Sequence, residues 1–320
     1  MRALMLEGGR IRLADVPIAD RPGECLIRVK AAGICGTDLE LVRGYADFSG
    51  IPGHEFVGVV ERVGQPGDSH WIGRRVVGDI NIGCGACLQC RAGVKEHCED
   101  RRVLGIRKHH GAFAEYLTLP SCNLHRVPDA VGDQAAVFVE PIAAACRVLE
   151  QTSLGPGTRA AVMGDGRMGL LVAQVLAAAG TPVVLFGKYD QRLALARAMG
   201  LQARRAPEAA LAAGDRFDVV VEATGAADGL ARALALVRPR GTIVLKSTVH
   251  DPAAIATWPI VVDEITVIGS RCGPFDPALD LLARGAVKVD PLVTCVAGLE
   301  DFERAFREAA TGLKAVFAVS

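Results

Sequence analysis

The sequence predicts an α/β protein of two domains, one rich in β-strands and one built as a doubly wound parallel sheet. Three observations predict it. Up to residue 146 the chain runs in short apolar alternations separated by glycine and proline turns. From Gly157 onward apolar runs alternate with helical stretches, the β-α-β pattern of a parallel sheet. A chain of 320 residues is long enough for two separate cores.

The elements follow in order. Cys25–Val29, Phe56–Val60 and Arg75–Val77 read as strands of the first domain. Arg159–Met163 opens the second domain, followed by a glycine-rich turn and a helix over 167–179. A strand over Val183–Phe186 precedes an alanine-rich helix over 190–199. Phe217–Val221, Thr242–Leu245 and Thr266–Ile268 supply further strands. Two amphipathic helices, 277–284 and 300–310, and a closing strand Ala315–Val319 end the chain. The boundaries place 1–146 and 272–320 in one domain and 147–271 in the other.

Bulk properties exclude several classes. Half of the residues are hydrophobic and 22% are charged, so the chain is not disordered. Lys+Arg and Asp+Glu both number 36, a balance that gives no footprint for nucleic acid or an anionic membrane. The run between Arg167 and Lys188 is uncharged, but Gly180-Thr181-Pro182 interrupts it, which reads as helix, turn and strand rather than a membrane span. The start, MRALMLEGGRIRLADVP, has no apolar core of signal-peptide length. Ten cysteines without such a signal point to a reducing cytoplasm, with thiols used for metal.

Four of those cysteines, Cys84, Cys87, Cys90 and Cys98, follow the spacing C-x2-C-x2-C-x7-C. Gly83, Gly85 and Gly93 let the loop wrap, and four soft sulfur ligands favour tetrahedral zinc. A redox C-x-x-C competes, but two further cysteines at matched spacing weigh against it. A closed site of four thiolates holds a loop and does no chemistry.

Gly164, Gly166 and Gly169 form G-x-G-x-x-G between a strand and a helix, with Asp165, Arg167 and Met168 between the glycines. That context marks a dinucleotide site, with the pyrophosphate on the helix N-terminus. At the end of the next strand, where NAD binders carry an acid, the chain has Gly187 and then Lys188. A missing carboxylate and a new ammonium favour NADP(H) over NAD(H), with Arg192 as a second cation. Asp190 is an alternative partner for the ribose. Thr224, Lys246, Ser247 and Ser270 stand at later strand ends and are candidates to flank the cofactor.

Upstream lie Gly33-Ile34-Cys35-Gly36-Thr37-Asp38 and Gly53-His54-Glu55, and later Val139-Glu140-Pro141. A cysteine, a histidine and a carboxylate suit a zinc ion with an open position. Spacing alone does not assemble them.

GICGTD, GHEF, the four-cysteine loop, VEP and GDGRMG occur in the order found in zinc-dependent medium-chain dehydrogenases. Over essentially its whole length the chain resembles that family, and within it the sorbitol and threonine dehydrogenase branch. The resemblance implies a GroES-like catalytic domain, a Rossmann domain and two zinc ions per chain. It also implies hydride transfer between an alcohol (polyol, sugar or amino alcohol) and NAD(P), in a homodimer or homotetramer. By the same resemblance Cys35 and His54 are zinc ligands, and Glu140 is the third ligand, directly or through water. Glu55 is the neighbouring carboxylate that can reach the metal, and Asp38 orients His54. Thr37 exchanges the substrate's hydroxyl proton. Where many relatives carry a relay histidine, this chain has Glu40, so Glu40, water or His110 completes the relay. Two other readings stand beside this one: a zinc-free quinone or enone reductase of the same superfamily, and a non-catalytic nucleotide-binding protein.

Overall fold

The computed structural model describes residues 1–18, 20–206, 215–249 and 254–320. By contacts it divides into two units, Met1–Glu140 with Val289–Ser320, and Pro141–Lys288. The sequence boundaries at 146 and 271 fall inside the second unit, which also takes in 141–146 and 272–288.

The first unit centres on a mixed sheet of seven strands. Its middle strand, Cys25–Gly33, alternates buried and half-buried residues, then is buried throughout its last three. It pairs antiparallel with Glu55–Arg62 on one side and with Lys314–Ala318 on the other. Gly33 stands opposite Glu55 in one pairing and Val316 in the other, so two distant chain segments meet at the strand's end. Phe113, Phe306 and Phe317 stack edge-on or tilted beside it. Phe113 is fully buried there and packs the core. A separate hairpin, Arg2–Glu7 with Arg10–Asp15, precedes the sheet.

The second unit is a six-stranded parallel sheet. Ala160–Met163 lies between Val183–Gly187 and Phe217–Glu222, so successive connections leave it in opposite directions. That reversal opens a crevice at the carboxyl ends of the strands. Gln202–Arg205 forms one edge and Thr266–Gly269 the other. The helix Arg167–Ala178 buries every residue from Gly169 to Leu176, as a crossover against a parallel sheet requires. The observed strands run past the apolar runs: Val237–Leu245 starts five residues before Thr242, and Thr266–Gly269 ends one residue past Ile268. The closing helix is Phe302–Thr311, preceded by a 3-10 turn Leu299–Asp301. Among the described residues no helix is long and apolar enough to cross a membrane.

Candidate active site

The first site is organised by one carboxylate. Asp38 lies in the first turn of the helix Gly36–Val42 and is 1% exposed. Its Oδ2 accepts the backbone N–H of Cys35 at 2.7 Å and its Oδ1 that of Gly53 at 3.2 Å. The same Oδ1 lies 3.4 Å from His54 Nδ1. One side chain thereby caps a helix and fixes the two segments that carry Cys35 and His54.

The ligand atoms of Cys35, His54 and Glu55 all lie within 4.8 Å of one another. Glu140, half-buried in the first turn of Val139–Gln151, is not in that group. Burial opposes charge on His54, but Asp38 and Cys35 outweigh it and hold the ring well above its ordinary value. A field that favours a proton here favours any cation. Glu55 Oε1 is buried without a hydrogen-bond partner. A thiol, an imidazole and an unsatisfied carboxylate oxygen form a donor set that fits zinc. Thr37 Oγ1 lies 3.8 Å from Cys35 Sγ, beside the metal position. Glu40 bonds Arg43 at 2.6 Å, and His110 Nδ1 accepts the N–H of Ile51 at 3.2 Å.

Sequence reasoning missed Lys314. Its ammonium ion-pairs with Glu55 Oε2, and both side chains are fully buried. It also lies 5.3 Å from the centre of the Phe138 ring. Burial pulls the lysine down to about 8, opposed by Cys35 and Asp38. A Cβ on Gly33 would meet Val137 Cγ1 at 2.5 Å and Glu55 Oε2 and Lys314 Cε at 2.7 Å. Glycine is therefore the residue that lets the pair form. The signal was a lysine inside the apolar run Leu313–Val319.

The four cysteine sulfurs also lie within 4.8 Å of one another. Successive turns point amides at them: Cys87 N donates to Cys84 Sγ at 3.4 Å, and Cys84 N to Cys98 Sγ and Cys90 N to Cys87 Sγ at 3.5 Å. The amides of Ala86 and Cys87 bring the Cys84 thiol down to about 6. Desolvation pushes Cys90 up to about 11, and the neighbouring thiols add to it. Four sulfurs this close repel as anions, so full ionisation calls for a bound cation, and thiolate donors fit zinc. A Cβ on Gly83 would meet Cys90 Sγ at 2.6 Å, which explains glycine at that turn.

In the second unit Gly164 has φ 114°, and a Cβ there or at Gly169 would collide with backbone carbonyls. Gly166 differs. It caps the helix Arg167–Ala178 with no side-chain hydrogen bond, and a Cβ there would meet nothing. The helix N-terminus is thus open to an anion, the cradle a pyrophosphate needs. Arg167 and Met168 form its first turn. Asp165, 4% exposed, accepts the N–H groups of Lys188 at 2.8 Å and Tyr189 at 2.7 Å. Lys188 and Arg192 both lie over the Tyr189 ring, at 5.0 and 4.7 Å. Asp190 bonds Arg205 at 2.7 Å. Thr224 donates to Glu222, and Ser247 Oγ accepts the N–H of Gly225. Lys246 bonds the carbonyls of Ala144 and Arg271 at 2.8 Å and Ser270 Oγ at 3.4 Å, so it ties loops together.

Residues 21–129 match the alcohol dehydrogenase GroES-like domain, and residues 168–284 match the zinc-binding dehydrogenase family. The chain is 33% identical to D-altritol 5-dehydrogenase of Agrobacterium fabrum over 83% of its own length and 82% of that protein's. Among solved structures, the alcohol dehydrogenase rspB of Escherichia coli CFT073, complexed with NADH, is 27% identical with a TM-score of 0.91, over 99% of both chains. A zinc-binding dehydrogenase of Sinorhizobium meliloti 1021, bound to NADP, is 30% identical with a TM-score of 0.90, over 99% of this chain and 98% of that one. Fold and site define an NAD(P)-dependent alcohol oxidoreductase with a GroES-like and a Rossmann-like domain. The chain belongs to the zinc-type medium-chain alcohol dehydrogenase family.

Proposed function

We propose that this chain interconverts a polyol, sugar or amino alcohol and its carbonyl product, with one catalytic and one structural zinc and with NADP(H) favoured over NAD(H). The observation that carries the reading is the convergence of Cys35, His54 and Glu55 within 4.8 Å, beside Thr37. Cys35 and His54 would hold the catalytic zinc, with Glu140 as third ligand, directly or through water, and Glu55 as the neighbouring carboxylate able to reach it. Cys84, Cys87, Cys90 and Cys98 hold the structural one. When bound, the catalytic zinc acidifies an alcohol hydroxyl and polarises a carbonyl. Thr37 Oγ1 takes the hydroxyl proton in oxidation and returns it in reduction. Glu40, which bonds Arg43, water or His110 carries the proton onward. A bound nicotinamide would supply the hydride acceptor and donor.

Gly164, Gly166 and Gly169 receive the pyrophosphate, with Asp165, Arg167 and Met168 shaping the turn. Gly187, Lys188 and Arg192 receive the 2′-phosphate; the absence of a carboxylate on Gly187 and the two cations beside Tyr189 support this. Thr224, Ser247 and Ser270 flank the nicotinamide side, with Lys246 bracing their loops. The name of the altritol relative supports the polyol class. Ten free cysteines support a reducing, cytoplasmic setting.

The assembly is a homodimer or homotetramer through the edge strand Thr266–Gly269. Val267 on that strand and Trp258, Val261 and Val262 on the helix before it are exposed, a combination that calls for a cover. Metal analysis with an alcohol panel run against both cofactors tests the whole reading. Two zinc ions per chain and turnover of a polyol with NADP are the expected result, and a metal-free active enzyme overturns it.

A further inference from the structure

A second buried cluster lies outside both metal sites. Glu24, His109 and Thr118 are 8%, 3% and 3% exposed. Glu24 Oε2 accepts from His109 Nε2 at 3.0 Å and from Thr118 Oγ1 at 2.7 Å. Its Oε1 accepts from Arg102 at 2.6 Å. Burial alone raises the Glu24 carboxyl; the bonds from His109 and Thr118, the charge of His109 and the bond from Arg102 outweigh it and bring it down to about 2. The other nitrogen of His109, Nδ1, lies 2.8 Å from the carbonyl oxygen of His110. The ring clamps the loop from two ends.

That loop carries the next layer. The carbonyl of His109 accepts the N–H of Gly105 at 3.0 Å. Gly111, Ala112 and Phe113 donate to the carbonyls of Ile51, Gly53 and Pro52 at 2.6, 2.9 and 3.0 Å. A Cβ at Gly105 or Gly111 would collide with Gly53, so backbone packs on backbone there. The segment 51–53 leads directly into His54. It is held on one side by Asp38, through the N–H of Gly53, and on the other by this loop.

We infer that His109, clamped by Glu24, is a positioning residue for the zinc-ligand segment 51–54. The inference rests on the metal reading above for its consequence, but its geometry does not. Loss of the clamp loosens the three amides at 111–113 first, and His54 through them.

The test uses the full zinc-loaded chain, well below its unfolding transition. His109→Gln is compared with Val76→Ala, a buried change on the strand Arg75–Gly78. Hydrogen exchange at Gly111, Ala112 and Phe113 is expected to speed by about tenfold in His109→Gln relative to Val76→Ala. Chelator removal of the zinc at Cys35 and His54 is expected to speed by about tenfold too, with the four-cysteine zinc leaving at its unmodified rate. The pair Glu24→Gln with His109→Gln, two neutral groups able to bond each other, is expected to restore both rates in part. Should His109→Gln fail to fold, Thr118→Val removes one Glu24 bond and is expected to loosen the same amides by about threefold. Equal exchange at those amides in the cluster variant and in Val76→Ala overturns the inference. Unmodified protein that takes zinc only at the four cysteines overturns the metal reading instead, and the exchange comparison still decides whether His109 clamps the segment.

Discussion

Cofactor choice gives the sharpest test, because the structure alters the obvious experiment. An aspartate at Gly187 would, on charge alone, install a ribose acceptor and repel a 2′-phosphate. A Cβ at Gly187, however, would lie 2.5 Å from Asp165 Cβ and Oδ2 and 2.6 Å from its Cγ. Overpacking of that kind costs about 1–3 kcal/mol. Displacing Asp165 also loosens its bonds from Lys188 and Tyr189, each worth about 1.5–3 kcal/mol to a charged acceptor. Gly187→Asp alone is therefore expected to destabilise the protein by at least about 2 kcal/mol without gaining NAD activity. Asp165→Gly with Gly187→Asp opens the space. Adding Lys188→Ala removes an exposed cation–phosphate contact worth about 1–2 kcal/mol, roughly tenfold in kcat/KM. The triple variant is expected to prefer NAD. Steady-state kinetics with both cofactors and denaturant unfolding provide the assay. A Gly187→Asp protein as stable as the original, with its preference switched, would refute the packing argument; higher kcat/KM with NAD in the unmodified enzyme would refute the assignment of Lys188.

Other outcomes follow from the same structure. Cys35→Ala is expected to retain one zinc and the fold but lose nearly all activity, whereas Cys90→Ala loses the other zinc and opens the 84–98 loop to protease; metal analysis and limited proteolysis separate them. Lys314→Met leaves the buried Glu55 carboxylate without its ion-pair partner and is expected to cost about 3–5 kcal/mol in denaturant unfolding, most of it recovered with Glu55→Gln added. Glu24 is held near 2 against an ordinary 4.5. Its contribution, about 3 kcal/mol, is therefore fully present above pH ~4.5 and is lost as pH falls toward ~2, and Glu24→Gln is expected to flatten that limb of the stability curve. Val267→Lys is expected to shift light scattering from oligomer to monomer.

The glycine turn was legible because its demands are local: a positive φ, a close carbonyl and an open helix end each select glycine at a known spacing. The four cysteines were legible for the same reason, since one short loop contains them. The site at Cys35 and His54 was legible only through resemblance. Its two ligand segments are joined by Asp38, and nothing in their spacing says that a helix cap three residues past Cys35 also reaches Gly53. The ion pair of Glu55 and Lys314 was not legible at all. It depends on Gly33 standing between two strands from opposite ends of the chain, a fact of sheet order rather than of pattern. The edge-on packing of Phe113 against Phe306 and Phe317 is likewise a matter of contacts between distant segments. The edge strand Gln202–Arg205 escaped notice because its sequence, Gln202-Ala203-Arg204-Arg205, has one buried residue.

The strand Lys314–Ala318 of the first sheet follows every strand of the nucleotide sheet in the sequence. Lys314–Ala318 can pair with Cys25–Gly33 only after the whole nucleotide sheet has been made. In the sequence, the nucleotide-sheet strands fall wholly between the two segments of the first unit, so they are made before Lys314. During synthesis the dinucleotide half can therefore fold while the metal half waits. Until Lys314 arrives, Glu55 lacks the cation that it faces in the finished sheet, and the strand that carries it has reason to stay hydrated. The first sheet is completed after the nucleotide sheet, and Lys314 is the residue that brings Glu55 its cation.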